Sequence, residues 1–219
     1  MTGTHPATAA QRTDLLHRML TVRRFEQGGA QLPAGLPAGE EAIAVGVVNA
    51  LGPADTVVPA GGAHGPALAV EQARADVAGQ VSAVTACFVG GDPPDGDELT
   101  ECMAAAVRQS LPVLFCLADA GTDPAGSPGL PTETVDGLDV EAVLRVAVAM
   151  VHTMRAGTGP QLLDARPAAG GGDPIRLLAD RMRNDHQLDA NALAAIDDHV
   201  AAQLRAALAG LSENREAGR

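Results

Sequence analysis

An α/β fold, a parallel sheet flanked by helices, is what this sequence predicts, on three observations. The runs "VSAVTACFV" and "LPVLFCLA" are almost continuously apolar, and "PQLLDARP" carries a shorter apolar stretch. Turn residues bound each run, the mark of strands buried on both faces. Segments with helical spacing separate them, and buried strands alternating with helices imply parallel pairing through crossovers. A chain of 219 residues is long enough to bury such a core.

The elements follow in order. Residues 1–10 are small and polar and are expected to be disordered, as is the tail 211–219; residues 11–210 are expected to form a single α/β domain. "DLLHRMLTVRRFEQ" spaces Leu15, Met19, Val22 and Phe25 along one helical side, with Asp14 near the start. "GEEAIAVGVVNALG" is a second apolar helix, closed by Gly52-Pro53. "DTVVPAGGAHG" is a short strand and a glycine turn, and "PALAVEQARADVAG" a third helix. The buried strand "VSAVTACFV" leads to the helix "DELTECMAAAVRQS", with Asp97 as its expected cap. After the strand "LPVLFCLA", the segment from Asp119 to Thr134 is rich in Gly and Pro and reads as a loop. "LDVEAVLRVAVAMVHTMRAG" is a helix capped by Asp139 and ended at Gly157. The strand "PQLLDARP" and the helices "DPIRLLADRMRN" and "LDANALAAIDDHVAAQLRAALAGL" complete the chain, and the stripe Leu193, Ile196, Val200, Leu204, Leu208 on the last of them requires a cover.

Composition narrows the function. A net charge of −12 argues against a nucleic-acid or anionic-membrane partner. The chain has no Trp, Tyr or Lys, which excludes base-stacking platforms and any lysine-dependent phosphate loop or Schiff base. Cys87, Cys102 and Cys116 are widely spaced, so they are expected as buried small residues, not as a disulfide framework or zinc site. "MTGTHPATAAQR" lacks the features of a signal peptide and no apolar run reaches a membrane span, so a cytoplasmic protein is expected. No Ser-His-Asp or Cys-His constellation is legible, leaving the catalytic residues unknown. His17, His152 and His199 fall on helices at partly exposed places and receive no role.

"LLHRMLTVRRFEQ", "GEEAIAVGVVNAL", "VVPAGGAHGPALAV", "LPVLFCLADAG", "VDGLDVEAVLRVAVAMVHTMRAGTGPQLLDARP" and "DPIRLLADRM" occur in an order that resembles alpha subunits of the thiamine-diphosphate-dependent 2-oxo acid dehydrogenases, the pyruvate dehydrogenase type. The resemblance covers most of residues 13–210 and implies a shortened thiamine-diphosphate-binding-like fold. It also implies a beta-type partner in a heterotetramer, or else a homo-oligomer, and 2-oxo acid decarboxylation with acyl transfer. An alternative is a catalytically silent subunit whose role is the interface it offers.

The resemblance also supplies candidate site residues. In the family, a Gly-Asp-Gly at one strand end and an Asn at the next hold the Mg²⁺ that ties the cofactor diphosphate to the protein. Here "TACFVGGDPPDGDEL" places Gly90, Gly91 and Asp92 at the first position, and Asp119 at the second, so Asp92 and Asp119 are the implied metal ligands. His64 is the implied contact from the glycine loop. Those residues have a plainer reading too: Asp92 to Asp97 as a solvated acidic turn and helix cap, His64 as a turn residue. Several family features differ. Gly61-Gly62 stand where a Tyr-Arg pair is usual, and Glu40 where Gln is usual. "RPAAGGGDP" lacks an Arg and a His at the matching places, and only Asp76 to Ser82 bridge the third helix to the next strand.

Overall fold

The computed structural model describes residues 7–27, 39–59, 64–90, 96–118, 129–166, 171–189 and 191–217. They divide into two compact units, residues 33–174 and residues 1–32 with 175–219.

The larger unit is a five-stranded parallel sheet in the order β1-β2-β3-β5-β4. Its strands are β1 (Thr56–Val58), β2 (Thr85–Val89), β3 (Val113–Leu117), β4 (Thr132–Thr134) and β5 (Gln161–Asp164). The three runs read as buried strands are β2, β3 and β5, adjacent and parallel as expected. Every residue of the three is buried. Alternation sorts their side chains into two cores. Ala86, Phe88, Leu114, Cys116 and Leu163 pack with α2 (Glu41–Ala50) and α5 (Val140–Arg155). Cys87, Val89, Val113, Phe115 and Leu162 pack with α3 (Gly65–Ala78) and α4 (Gly96–Arg108). Right-handed crossovers explain the division. The β1–α3–β2–α4–β3 path advances across the sheet, whereas β4–α5–β5 steps back, so α5 covers the opposite face.

Local signals set most helix ends. The Asp139 carboxylate accepts hydrogen bonds from the Glu141 and Ala142 amides at 3.1 Å each and caps α5 as expected. Gly157 ends the same helix at φ +92°, a left-handed conformation suited to glycine. Asp139→Ala is therefore expected to cost about 1 kcal/mol of stability. A urea midpoint unchanged by the substitution would show that the cap contributes nothing. In α2, Gly46 lets α5 approach closely, since a Cβ there would lie 2.6 Å from Val143 Cγ1.

Two expectations fail in this unit. The segment from Asp119 to Thr134 is not wholly a loop, because Thr132–Thr134 pairs with β5 as an edge strand. All three of its residues are exposed, so no apolar pattern announced it. Asp97 lies inside the first turn of α4, not at its cap, where a carboxylate still favours the helix dipole.

The smaller unit holds α1 (Ala9–Gln27), α6 (Pro174–Asn184) and α7 (Ala192–Ala217). α1 begins at Ala9, and not near Asp14, because Thr8 and Gln11 form a capping box. The Thr8 amide donates to Gln11 Oε1 at 2.8 Å, and the Gln11 amide donates to Thr8 Oγ1 at 3.3 Å. The buried side of α1 is Arg12, Leu15, Leu16, Met19 and Leu20, while the expected Val22 and Phe25 are only half-buried. α1 packs against α7, and of the expected α7 stripe Val200 is buried, Leu193, Ile196 and Leu204 are half-buried, and Leu208 stays exposed. No helix among the described residues is long and apolar enough to cross a membrane.

Candidate functional site

In a parallel α/β sheet, ligands collect beyond the carboxyl ends of the strands. β2 and β3 end level here: Val89 pairs with Leu117, and the Ala118 amide donates to the Val89 carbonyl at 3.2 Å. Gly90 is buried directly after β2. Gly91, Asp92 and Asp119 lie outside the described residues, as do the turn prolines Pro93 and Pro94.

His64 directly precedes α3, and its side chain makes no capping hydrogen bond. Its ring is 83% exposed, and Nδ1 lies 3.7 Å from Glu98 Oε1 in the first turns of α4. The contact therefore links the helix that follows β1 to the helix that follows β2. It is an ion pair only when the imidazole is protonated, and at that exposure it contributes little to stability.

The far side of the carboxyl edge has features that the sequence did not announce. Asp164, the last residue of β5, is buried, and Arg166 grips it through Nε at 2.7 Å and Nη2 at 2.5 Å. The "D-A-R" spacing held the signal, because two residues apart at a strand end share a side. Gly137 crosses close by, where a Cβ would lie 2.2 Å from the Ala165 carbonyl oxygen.

Burial and charge at the described cysteines work against a thiolate. Burial pushes the Cys102 thiol up, and the Glu98 and Glu101 carboxylates push it further. Cys87 and Cys116 are buried as expected, Cys102 is half-buried, and all three are unbridged. Arg74 lines the same surface recess as Cys102, but so do Glu71, Glu98 and Glu101, and these surroundings are not the electropositive ones that make a thiolate nucleophile.

Among the described residues no three His, Cys, Asp or Glu side chains converge as a metal site. Among the described residues that follow β1 and open α4, the ionisable side chains are His64, Asp97 and Glu98, of which His64 alone can carry positive charge. A diphosphate needs cations or clustered amide donors around it. The described set alone does not fit that group.

No family model matches the chain. The chain is similar to the pyruvate dehydrogenase E1 component subunit alpha of Porphyra purpurea, at 35% identity over 98 residues. That match takes in 37% of this chain and 28% of the relative's length. The likeness is to part of an E1 alpha subunit, and the five-stranded parallel sheet is compatible with it.

Proposed function

We propose that this chain is an alpha-type subunit of a 2-oxo acid dehydrogenase-like assembly. In this reading it acts with a beta-type partner in 2-oxo acid decarboxylation and acyl transfer, with thiamine diphosphate and Mg²⁺ as cofactors. The observation that supports it most is the 98-residue likeness to an E1 alpha subunit. The level carboxyl ends of β2 and β3, each followed by an aspartate in the sequence, are compatible with a metal held by Asp92 and Asp119. His64 would border the same edge.

The charge around that edge shapes the proposal. Glu98 lies beside His64, Asp97 precedes it in the first turn of α4, and the chain carries no lysine. The joint between α3 and β2 is also short. The Val81 amide donates to the Asp76 carbonyl at 2.8 Å, and Gln80 at φ +57° turns the chain at once toward β2. This chain therefore offers few groups of its own to the diphosphate, and the partner must bring the cations. The same observation favours a second reading, a silent subunit that contributes only an interface.

Calorimetry with thiamine diphosphate and Mg²⁺ separates the two. The isolated chain is expected to show no micromolar binding, which corresponds to about 8 kcal/mol. Co-purification with a beta-type subunit should form an assembly that binds the cofactor and decarboxylates a 2-oxo acid. An assembly that forms but neither binds nor turns over supports the silent reading. Failure to assemble with a beta-type subunit would overturn the alpha-type assignment itself.

A further inference from the structure

The smaller unit brings two histidines together from distant parts of the chain. His17 on α1 and His199 on α7 have ring centroids 6.1 Å apart and planes tilted by 53°. His17 Nε2 also lies 3.0 Å from Oε1 of Gln203, one helical turn after His199 on the same face of α7. We propose that these three side chains form a site for a divalent transition-metal ion such as Ni²⁺ or Zn²⁺, bridging α1 and α7.

The distances suit an ion. Imidazole nitrogens sit about 2.0–2.1 Å from such metals, so two ligands at a right angle lie about 3 Å apart. The His17–Gln203 separation matches that edge. Adding the nitrogen-to-centroid distance puts two imidazoles on one ion at a centroid separation of at most about 6.4 Å. The observed 6.1 Å falls within the limit, so turning the exposed His199 ring can set a nitrogen on an ion held by His17 and Gln203. In the tautomer whose Nε2–H donates to Gln203 Oε1, the ion would take that proton's place and the ring would carry its proton on Nδ1.

Chemistry and charge select the class of ion. Imidazole with an amide oxygen and water suits Ni²⁺, Cu²⁺ or Zn²⁺, whereas Mg²⁺ and Ca²⁺ want more oxygen ligands. Asp14 precedes His17 by three residues, and Asp197 and Asp198 immediately precede His199. The guanidinium groups of Arg18 and Arg24 are already paired, with Asp14 at 2.7 Å and Asp197 at 2.5 Å. A cation therefore approaches a face whose positive charges are offset. His199 and Gln203 are exposed and His17 is half-buried, so water can complete the coordination shell.

Binding should have measurable consequences. An ion that requires the folded α1–α7 pair stabilises it in proportion to occupancy. The test is isothermal titration of the untagged, chelator-stripped full chain with Ni²⁺, and separately with Zn²⁺. One-to-one binding is expected, with a raised unfolding midpoint in the presence of metal. His17→Gln and His199→Ala should each weaken it by at least roughly 10-fold, about 1.4 kcal/mol. His152→Ala on α5 should leave it unchanged. Should His17→Gln not fold, the exposed His199→Ala carries the test. No binding at roughly 1 mM metal (about 4 kcal/mol), or full affinity in either folded histidine variant, overturns the site.

Discussion

Phe115→Ala is expected to destabilise the protein by about 3–5 kcal/mol, enough to leave a marginal domain largely unfolded. Phe115 lies at the centre of β3, the middle strand of the sheet, and is fully buried. Its register partners are Cys87 on β2 and Leu162 on β5, and its face packs against α3 and α4. The chain has three phenylalanines and no Trp or Tyr, so this ring is the largest fully buried side chain. Its buried cluster joins small residues (Ala69, Ala73, Cys87 and Ala106) to larger ones (Leu99, Met103 and Leu162), and a close-packed interior of this kind relaxes only partly around a lost ring. Truncation thus loses both the transfer term and the cavity term. Val57→Ala on the edge strand, where the side chain is 40% exposed, should cost under about 1 kcal/mol. Urea unfolding of both variants would check this, and similar midpoints would mean that the sheet centre is not the stabilising core.

The sheet was legible in the sequence because burial on both faces leaves a continuous apolar run, which β2 and β3 show plainly. Asp139 was legible because a cap and its helix are neighbours in sequence. What failed to show depended on contacts from distant segments or on exposure. β4 is Thr-Glu-Thr and faces water, so only its pairing with β5 makes it a strand. The buried face of α1 includes Arg12, an unpromising core residue until its partners are known. The Asp185 carboxylate at 2.5 Å and Gln187 Oε1 at 2.9 Å accept its hydrogen bonds. The His17–His199 pair and the His64–Glu98 contact are equally invisible along the chain.

The candidate site was less legible than the fold for a related reason. The resemblance supplied Gly90, Gly91, Asp92, Asp119 and His64, yet three of these fall outside the described residues. The Asp164–Arg166 pair at the end of β5 does not show in a comparison with the family motif, because such a motif carries no information on which carboxylate an arginine engages. An arginine already committed to a buried carboxylate is in any case a different chemical object from one waiting for a phosphate.

The chain is expected to lose stability steeply above pH 9, and thiols should cause it. With no lysine or tyrosine, and with arginines that stay protonated, few groups other than cysteine titrate between about pH 9 and 12. Burial, with a smaller contribution from Cys102, pushes the Cys87 thiol from 9.0 up to about 12. Cys116 is also raised well above 9.0, first by burial and then by Cys87. The folded state therefore holds protons that the unfolded chain gives up. That contribution is fully present below about pH 9 and is lost as pH rises toward the folded values. Each such thiol gives a slope of up to about 1.4 kcal/mol per pH unit, so Cys87 alone amounts to roughly 4 kcal/mol by pH 12. Urea midpoints measured from pH 7 to pH 11 should fall along this limb. Cys87→Ala and Cys116→Ala should flatten it while lowering stability at every pH through the lost side chain, so the slopes decide the matter. A limb equally steep in the double variant would mean that another group titrates, and that these buried thiols do not set the alkaline limit of the fold.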